Sequence, residues 1–307
     1  DGRPNGSANA TLLNNDYWLP AATLTWEIAD SLQARFNASK TIARPQFREL
    51  ILQTYYDPES NRQFTGNPGL VDSELTNYEA RVEYYWGSGS KFSLAGFYKD
   101  IENPIEVFSS FNDNTVVSRF ANAPQAELYG AEVEVQWNKD LYTLGDWWDS
   151  KRFVAIANYT YTQSDISVQA GDQVNVPELG GLQSASNFFE DGTALTGQSD
   201  HIANFQLGLE DLDRVSQMTF LFNYGSKRVI SRSTLSRPDI LENPGLTIDF
   251  VARQGFELAG TDLEVKFEAR NLTGRDHFEY QTTGTTRIEN NSYDVGRSFS
   301  LSVSAEF

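Results

Sequence analysis

The chain has 307 residues, a formal net charge of -18 and no cysteine. The lack of cysteine excludes disulfides, thiolate metal sites and cysteine nucleophiles, and the acidic balance argues against a nucleic-acid surface. The mean hydropathy is -0.47, and no stretch approaches the roughly 20 apolar residues that a membrane helix needs. These properties exclude helical membrane spans but not a membrane β-barrel, whose strands are apolar only at alternate positions.

Apolar and polar residues alternate in many segments of the chain, whereas helical periodicity is nearly absent. From Phe299 to Phe307 every second residue is apolar, and serines and one glutamate lie between them. A strand of this kind suits a boundary between oil and water. The alternation predicts eleven strands, near residues 22–29, 32–38, 78–86, 91–100, 131–137, 152–162, 202–210, 217–227, 246–256, 263–269 and 299–307.

The connections between these strands alternate strictly between long and short. The long ones span residues 43–76, 101–127, 164–199, 229–244 and 273–292, and the shorter ones span 30–31, 87–90, 138–151, 211–213 and 259–262. Transmembrane barrels have short periplasmic turns and long extracellular loops. A soluble sandwich, lectin or propeller is the alternative, but those folds do not require every second connection to be long. The pattern therefore predicts an all-β transmembrane antiparallel barrel.

An odd number of strands cannot form a complete single-chain bacterial barrel, because such barrels have even strand numbers. Counting eleven strands back from a periplasmic Phe307 places Asp1 outside the cell. An open sheet would also leave unpaired amides in lipid. We therefore expect further strands to precede this chain.

Several short motifs resemble the TonB-dependent receptors of the bacterial outer membrane. The strand-to-loop segment from Thr41 to Leu50 reads TIARPQFREL, and the other motifs follow in the order found in that family. They are Asn67-Pro68-Gly69-Leu70, Asn77-Tyr78-Glu79, Glu83-Tyr84-Tyr85, Phe97-Tyr98-Lys99-Asp100-Ile101, Tyr129-Gly130-Ala131-Glu132, Asn271-Leu272-Thr273 and Gly296-Arg297 before the final strand.

The resemblance implies that residues 1–307 form about the last eleven strands of a 22-stranded barrel. The N-terminal strands and a plug domain in the lumen would lie upstream, together with the segment that contacts TonB. The implied function is TonB-dependent import of a scarce nutrient such as a siderophore, cobalamin or an oligosaccharide. The implied surroundings are the outer-membrane lipid, the protein's own plug and the barrel-assembly machinery. No cofactor is implied.

Two groups of residues are candidates for functional contacts. Charged residues on the polar strand faces are expected to line the lumen and face the plug: Arg81, Glu83, Glu264 and Arg270. Aromatic residues in the long loops are expected to contact the ligand: Tyr55, Tyr56, Phe188 and Phe189. The alternatives are solvated wall residues in the first group and packing between loops in the second.

The aromatic Phe307 and its terminal carboxylate resemble the signal that the barrel-assembly machinery reads. We expect no enzyme activity, no catalytic residue and no metal site. The only histidines are His201 and His277, and nucleophile-elbow, zinc-protease and phosphate-loop motifs do not occur. A passive porin or an adhesive barrel is the alternative function, and an upstream plug would exclude the porin.

Overall fold

The computed structural model describes residues 13–87, 89–112, 115–234, 237–258 and 260–306. One short α-helix, Phe47–Leu50, and four 3-10 helices at Tyr142–Leu144, Asp146–Trp148, Pro177–Leu179 and Ala185–Asn187 lie between strands. No helix in the described ranges is long and apolar enough to cross a membrane. In chain order the strands are β1 (Ala21–Ala29), β2 (Leu32–Ala43), β3 (Thr54–Asp57), β4 (Arg62–Thr65), β5 (Ser73–Trp86), β6 (Ser90–Glu102), β7 (Ile105–Asn112), β8 (Thr115–Asn122), β9 (Gln125–Asp140), β10 (Lys151–Ser167), β11 (Gln173–Val176), β12 (Gly181–Ser184), β13 (His201–Asp211), β14 (Ser216–Gly225), β15 (Arg228–Ser233), β16 (Ile240–Glu242), β17 (Gly245–Leu258), β18 (Thr261–Arg270), β19 (His277–Thr283), β20 (Thr286–Tyr293) and β21 (Ser298–Glu306).

Eleven long strands form one antiparallel sheet in the order β1-β2-β5-β6-β9-β10-β13-β14-β17-β18-β21. These are the eleven strands predicted from the alternation, and they confirm the all-β class. They are 9 to 17 residues long, which is enough to cross the hydrocarbon core of a bilayer at a tilt. Each inner strand of this sheet pairs with the preceding and following long strand in sequence, and the edge strands β1 and β21 pair with one each, so the register is set locally. Phe307 lies outside the described residues.

One face of the large sheet, here called the outer face, is apolar and exposed. Since side chains alternate between faces, the register sets Phe36, Ala80, Gly96, Ala131 and Tyr161 beside one another in one row of this face. The predicted apolar band is therefore present. Six large apolar side chains on this face are between 39% and 69% exposed: Leu24, Val82, Leu94, Phe205, Phe220 and Leu301.

The opposite face, here called the inner face, is mostly polar. Gly130 lies on it, opposite Phe97 of the neighbouring strand. A Cβ atom at Gly130 would overlap the carbonyl oxygen of Tyr161 and lie only 2.7 Å from the Phe97 ring. The glycine of the Tyr129-Gly130-Ala131-Glu132 motif is thus required by a close approach between strands.

The long connections contain a second sheet, which the sequence analysis did not predict. Its eight strands follow the order β20-β19-β16-β15-β7-β8-β4-β3, and β11 pairs with β12 separately. Strands β4 and β8 are parallel, as are β7 and β15, so each of these pairs joins two different connections. The strands are only three to eight residues long, and pairing between distant connections leaves no local pattern to recognise.

The apolar core lies where these connections fold against the inner face. Ile101, Ala126 and Ile166 come from the inner face of three long strands, and they pack with Phe108 and Phe188 from the connections. This cluster covers the inner face at the end with the long connections. The long connections therefore fold over this end of the inner face and are anchored there by burial of apolar surface.

We expect the Gly130→Ala variant to be less stable by about 1–3 kcal/mol, since an added methyl group is forced into a packed site. The matched control is Gly96→Ala, because a Cβ atom at Gly96 meets only the Gly130 carbonyl oxygen at 3.9 Å. The measurement is urea unfolding of the full-length protein in lipid vesicles. Equal midpoints for the two variants would contradict the packing argument.

Candidate functional site

A network of charged side chains covers the middle of the inner face. The Arg81 guanidinium lies 3.2 Å from Glu79, 3.6 Å from Glu132 and 3.9 Å from Glu134, and it donates a hydrogen bond to Ser93. Glu79 belongs to β5 itself and Glu132 and Glu134 to β9, so one cation offsets carboxylates of its own strand and of a strand two places away in the sheet. Arg81 is therefore paired with carboxylates of the same sheet. Charges in a confined interior need such pairing.

Glu83 lies on the same face as Arg81 and is 5% exposed. It accepts a hydrogen bond of 2.6 Å from the Gln33 side chain, and the Arg35 guanidinium lies 3.3 Å from it. These contacts join β2 to β5. Glu83 thus contributes mainly to cohesion of the wall.

A second charged cluster lies near the other end of the sheet. Arg270 contacts Asp249 at 3.4 Å and Glu268 at 3.0 Å, and its side chain is 51% exposed. Glu264 is half-buried on the same face, opposite Gly255 and Ser304. The sheet therefore places all four predicted wall residues on the inner face but separates Arg81 and Glu83 from Glu264 and Arg270.

Asn67 ties three long connections together. It is 3% exposed, and its amide nitrogen donates hydrogen bonds to the carbonyl oxygens of Phe120 at 2.9 Å and Asn175 at 2.7 Å. Its side-chain oxygen accepts a bond of 2.7 Å from the Gly69 amide. The asparagine of the Asn67-Pro68-Gly69-Leu70 motif thus holds the connections in place.

A buried ion pair joins three connections at a second point. The Arg232 guanidinium lies 3.3 Å from Glu106 and 3.6 Å from Asp239. Both oxygens of Glu106 also accept the Thr196 backbone N–H at 3.1 Å. Burial raises the pKa of the Glu106 carboxyl to about 7, against the opposing effect of the Arg232 charge. A further buried pair, Arg62 with Glu279 at 3.7 Å, links the first long connection to the last.

A cavity of about 520 Å³ lies beside the Glu106–Arg232 pair. Phe188, Phe189 and Asp191 line one side, and Arg232 and Asp239 line the other. This volume is in the range of small-molecule sites, which combine apolar walls with a few polar groups. The connections therefore form an open candidate ligand pocket on the side of the second sheet.

The four predicted ligand-contact aromatics fall in two different environments. Tyr56 is 58% exposed, and the half-buried Tyr55 stacks on Phe64 at 5.7 Å. Phe188 and Phe189 are 8% and 2% exposed and belong to the apolar core. Their burial fits the alternative of packing between loops, although both also line the cavity. Ligand contact at these four residues stays a prediction.

The two histidines lie in different surroundings. His201 lies on the outer face with its ring nitrogen 2.8 Å from the Tyr159 hydroxyl, whereas His277 lies in the second sheet between Glu242 and Glu279. Among the residues that the structure describes, no group of three or more acidic or histidine side chains is arranged to hold a metal ion.

Sequence reasoning missed Glu106, Arg232 and the role of Asn67. Asn67 stood within a recognised motif, which was the only available signal for it. Glu106 and Arg232 lie in different connections with no local pattern. Only the second sheet brings them together.

The sequence matches the family model described as TonB dependent receptor-like, beta-barrel, over residues 1–272. No curated protein matches it. Among solved structures, a mutant of the ferric enterobactin receptor PfeA from Pseudomonas aeruginosa has a TM-score of 0.55 and 16% identity, covering 94% of this chain and 40% of that one.

Two further structures have the same fold. The siderophore receptor PirA from Acinetobacter baumannii has a TM-score of 0.56 and 14% identity, covering 94% of this chain and 40% of that one. The outer membrane transporter YddB from Escherichia coli has a TM-score of 0.56 and 9% identity, covering 92% and 39%. This chain thus spans about 40% of the length of the receptor structures. All three relatives are named as receptors or transporters.

We expect the Asn67→Ala variant to loosen the long connections while leaving the large sheet folded. The substitution removes hydrogen bonds to backbone groups of three connections, at a cost of about 1–3 kcal/mol for each. The measurement is the rate of protease cleavage within the connections. Asn187→Ala, at an exposed position of the same region, is the control and should cleave at the native rate. Equal rates for both variants would contradict the role of Asn67.

The stability of the joined connections should fall as the pH rises through about 7. The Glu106 carboxyl has its ordinary pKa of 4.5 when exposed and about 7 when buried, so the buried state binds the proton more tightly. Protonation of Glu106 therefore stabilises the joined connections. This stabilisation is complete below about pH 4.5 and is lost above about pH 7. The measurement is the hydrogen-exchange rate of the Thr196 amide in the native protein and in the Glu106→Gln variant at each pH. A ratio of the two rates that does not change with pH would contradict the predicted loss of stability.

Proposed function

The chain belongs to the TonB-dependent receptor-like β-barrel family, and we propose that it is the C-terminal part of a barrel that imports a scarce nutrient across the bacterial outer membrane. The observation that carries the proposal is the difference between the two faces of the large sheet. Its exposed apolar outer face suits lipid, and its paired charges on the inner face suit a wetted lumen. Alternation of this kind is what a membrane barrel requires.

The inner face is proposed as the wall around a plug domain, because barrels of 22 strands have a plugged lumen. Arg81 and Glu83 would keep the wall rigid, since their charges are already paired within it. Arg270 would reach the plug, because half of its side chain is exposed. Glu264, on the same face, would lie at the same boundary.

A ferric siderophore is the proposed cargo, ahead of cobalamin and oligosaccharides. The support is the likeness to proteins named as ferric enterobactin and siderophore receptors. Tyr55 and Tyr56 would meet the ligand at the surface of the first long connection. Phe188 and Phe189 would meet it only through the cavity that they line with Arg232.

The partners follow from the same proposal. The TonB system would act on the N-terminal part of the protein and pull on the plug. The barrel-assembly machinery would recognise the end of the chain at Phe307. Deletion of Phe307 would then lower the folded amount in the membrane without changing transport by each folded copy.

Uptake through the full-length protein is expected to require the proton-motive force, because a plugged lumen has no open path for diffusion. The test is uptake of labelled ferric siderophores, cobalamin and oligosaccharides by cells with and without a protonophore. Uptake of the accepted ligand should fall to background when the gradient collapses. A variant lacking the TonB-contacting segment should give the same background with the gradient intact.

Undiminished uptake without the gradient would replace the importer with a passive porin. Binding of no ligand by well-folded protein, with adhesion of cells to a surface, would favour the adhesive barrel instead. Equal folded amounts of the variants in the membrane are needed for each comparison, and heat-modifiable migration in gels measures them.

A further inference from the structure

A groove of about 840 Å³ crosses the outer face beneath the long connections. Its floor is a row of small residues on adjacent strands, in which Ala80 lies opposite Gly96 and Gly96 lies opposite Ala131. Phe36 and Tyr161 close the two ends of this row. A Cβ atom at Gly96 would meet no side chain within 4 Å, so the described part of the protein does not fill the groove.

A row of tyrosines borders the groove on the side of the long connections. Tyr78 lies opposite Tyr98, and Tyr98 lies opposite Tyr129. Tyrosine rings prefer the headgroup level of a membrane, where one end is apolar and the other is wet. The groove therefore lies just inside the hydrocarbon, at the depth where acyl chains leave their headgroups.

The next row toward the long connections is polar. The register places Lys40, Thr76, Asp100 and Glu127 side by side, and the Tyr98 hydroxyl is hydrogen-bonded to Glu127. Asp165 continues the row opposite Glu127. Three carboxylates repel a phosphate, but they accept hydrogen bonds from hydroxyl groups. This rim suits an uncharged headgroup rich in hydroxyls.

We propose that the groove holds one acyl chain of a glycolipid from the leaflet next to the long connections. The acyl chain lies over Ala80, Gly96 and Ala131. The sugar hydroxyls bind Asp100, Glu127 and the tyrosine hydroxyls. The inference rests on the membrane placement in the proposed function but not on plug, TonB or cargo.

The test uses the full-length protein in detergent and native mass spectrometry with two added lipids. They are a monoglucosyl diacylglycerol and a phosphatidylglycerol with the same two acyl chains. Gly96→Leu and Ala131→Leu fill the groove from two strands with side chains that suit a lipid-facing surface. The control is Ala203→Leu, at an outer-face position between Tyr159 and Tyr224 and outside the groove.

The native protein and Ala203→Leu should retain the glycolipid in preference to the phosphatidylglycerol. Each groove variant should retain about tenfold less of it, since burial of a few methylene groups is lost. Equal retention by all four proteins would mean an ordinary lipid annulus and overturn the proposal. Loss of both lipids equally from the groove variants would overturn the glycolipid as occupant.

Energised uptake by Gly96→Leu is expected to equal that of the native protein, because the groove lies on the face away from the lumen. Failure of glycolipid retention with intact uptake would therefore overturn only this inference. Loss of energised uptake in the native protein would overturn the proposed importer and leave the lipid result standing.

Discussion

The hydrogen-bonded pairing of each long strand with its neighbour in sequence is the interaction on which the structure depends. In hydrocarbon, every backbone amide and carbonyl needs a partner within the protein, because no water can replace it. Continuous antiparallel ladders such as β9 with β10 meet that need over their whole length. The same ladders fix which side chains share a face, since a shift of one residue would reverse inside and outside.

The connections solve a different problem, because they must hold a defined shape above the large sheet. Their second sheet, the Asn67 hydrogen bonds and the buried Glu106–Arg232 pair join segments that are far apart in sequence. The apolar core then fixes the joined connections to the inner face through Ile101, Ala126 and Ile166. A ligand that enters the cavity beside Arg232 would therefore contact residues that contacts between several connections hold in place.

The two faces of the large sheet have distinct roles that follow from their chemistry. Charges on the inner face are paired across strands, as around Arg81, which keeps a polar surface cohesive beside a lumen. The outer face needs no paired charges. It therefore tolerates the row of small residues around Gly96 that forms a groove. Close approach restricts the residue type only at particular places, such as Gly130.

The sequence by itself determined the eleven long strands, their faces and the alternation of their connections. These features depend on period-two patterning and on short turns, which act between neighbours in the chain. It also placed Arg81, Glu83, Glu264 and Arg270 on one face for the same reason. Only the tertiary structure separated them into two clusters and buried Phe188 and Phe189. The second sheet, the Glu106–Arg232 pair and the cavity arise from contacts between distant connections, and such contacts leave no periodic trace in a single sequence.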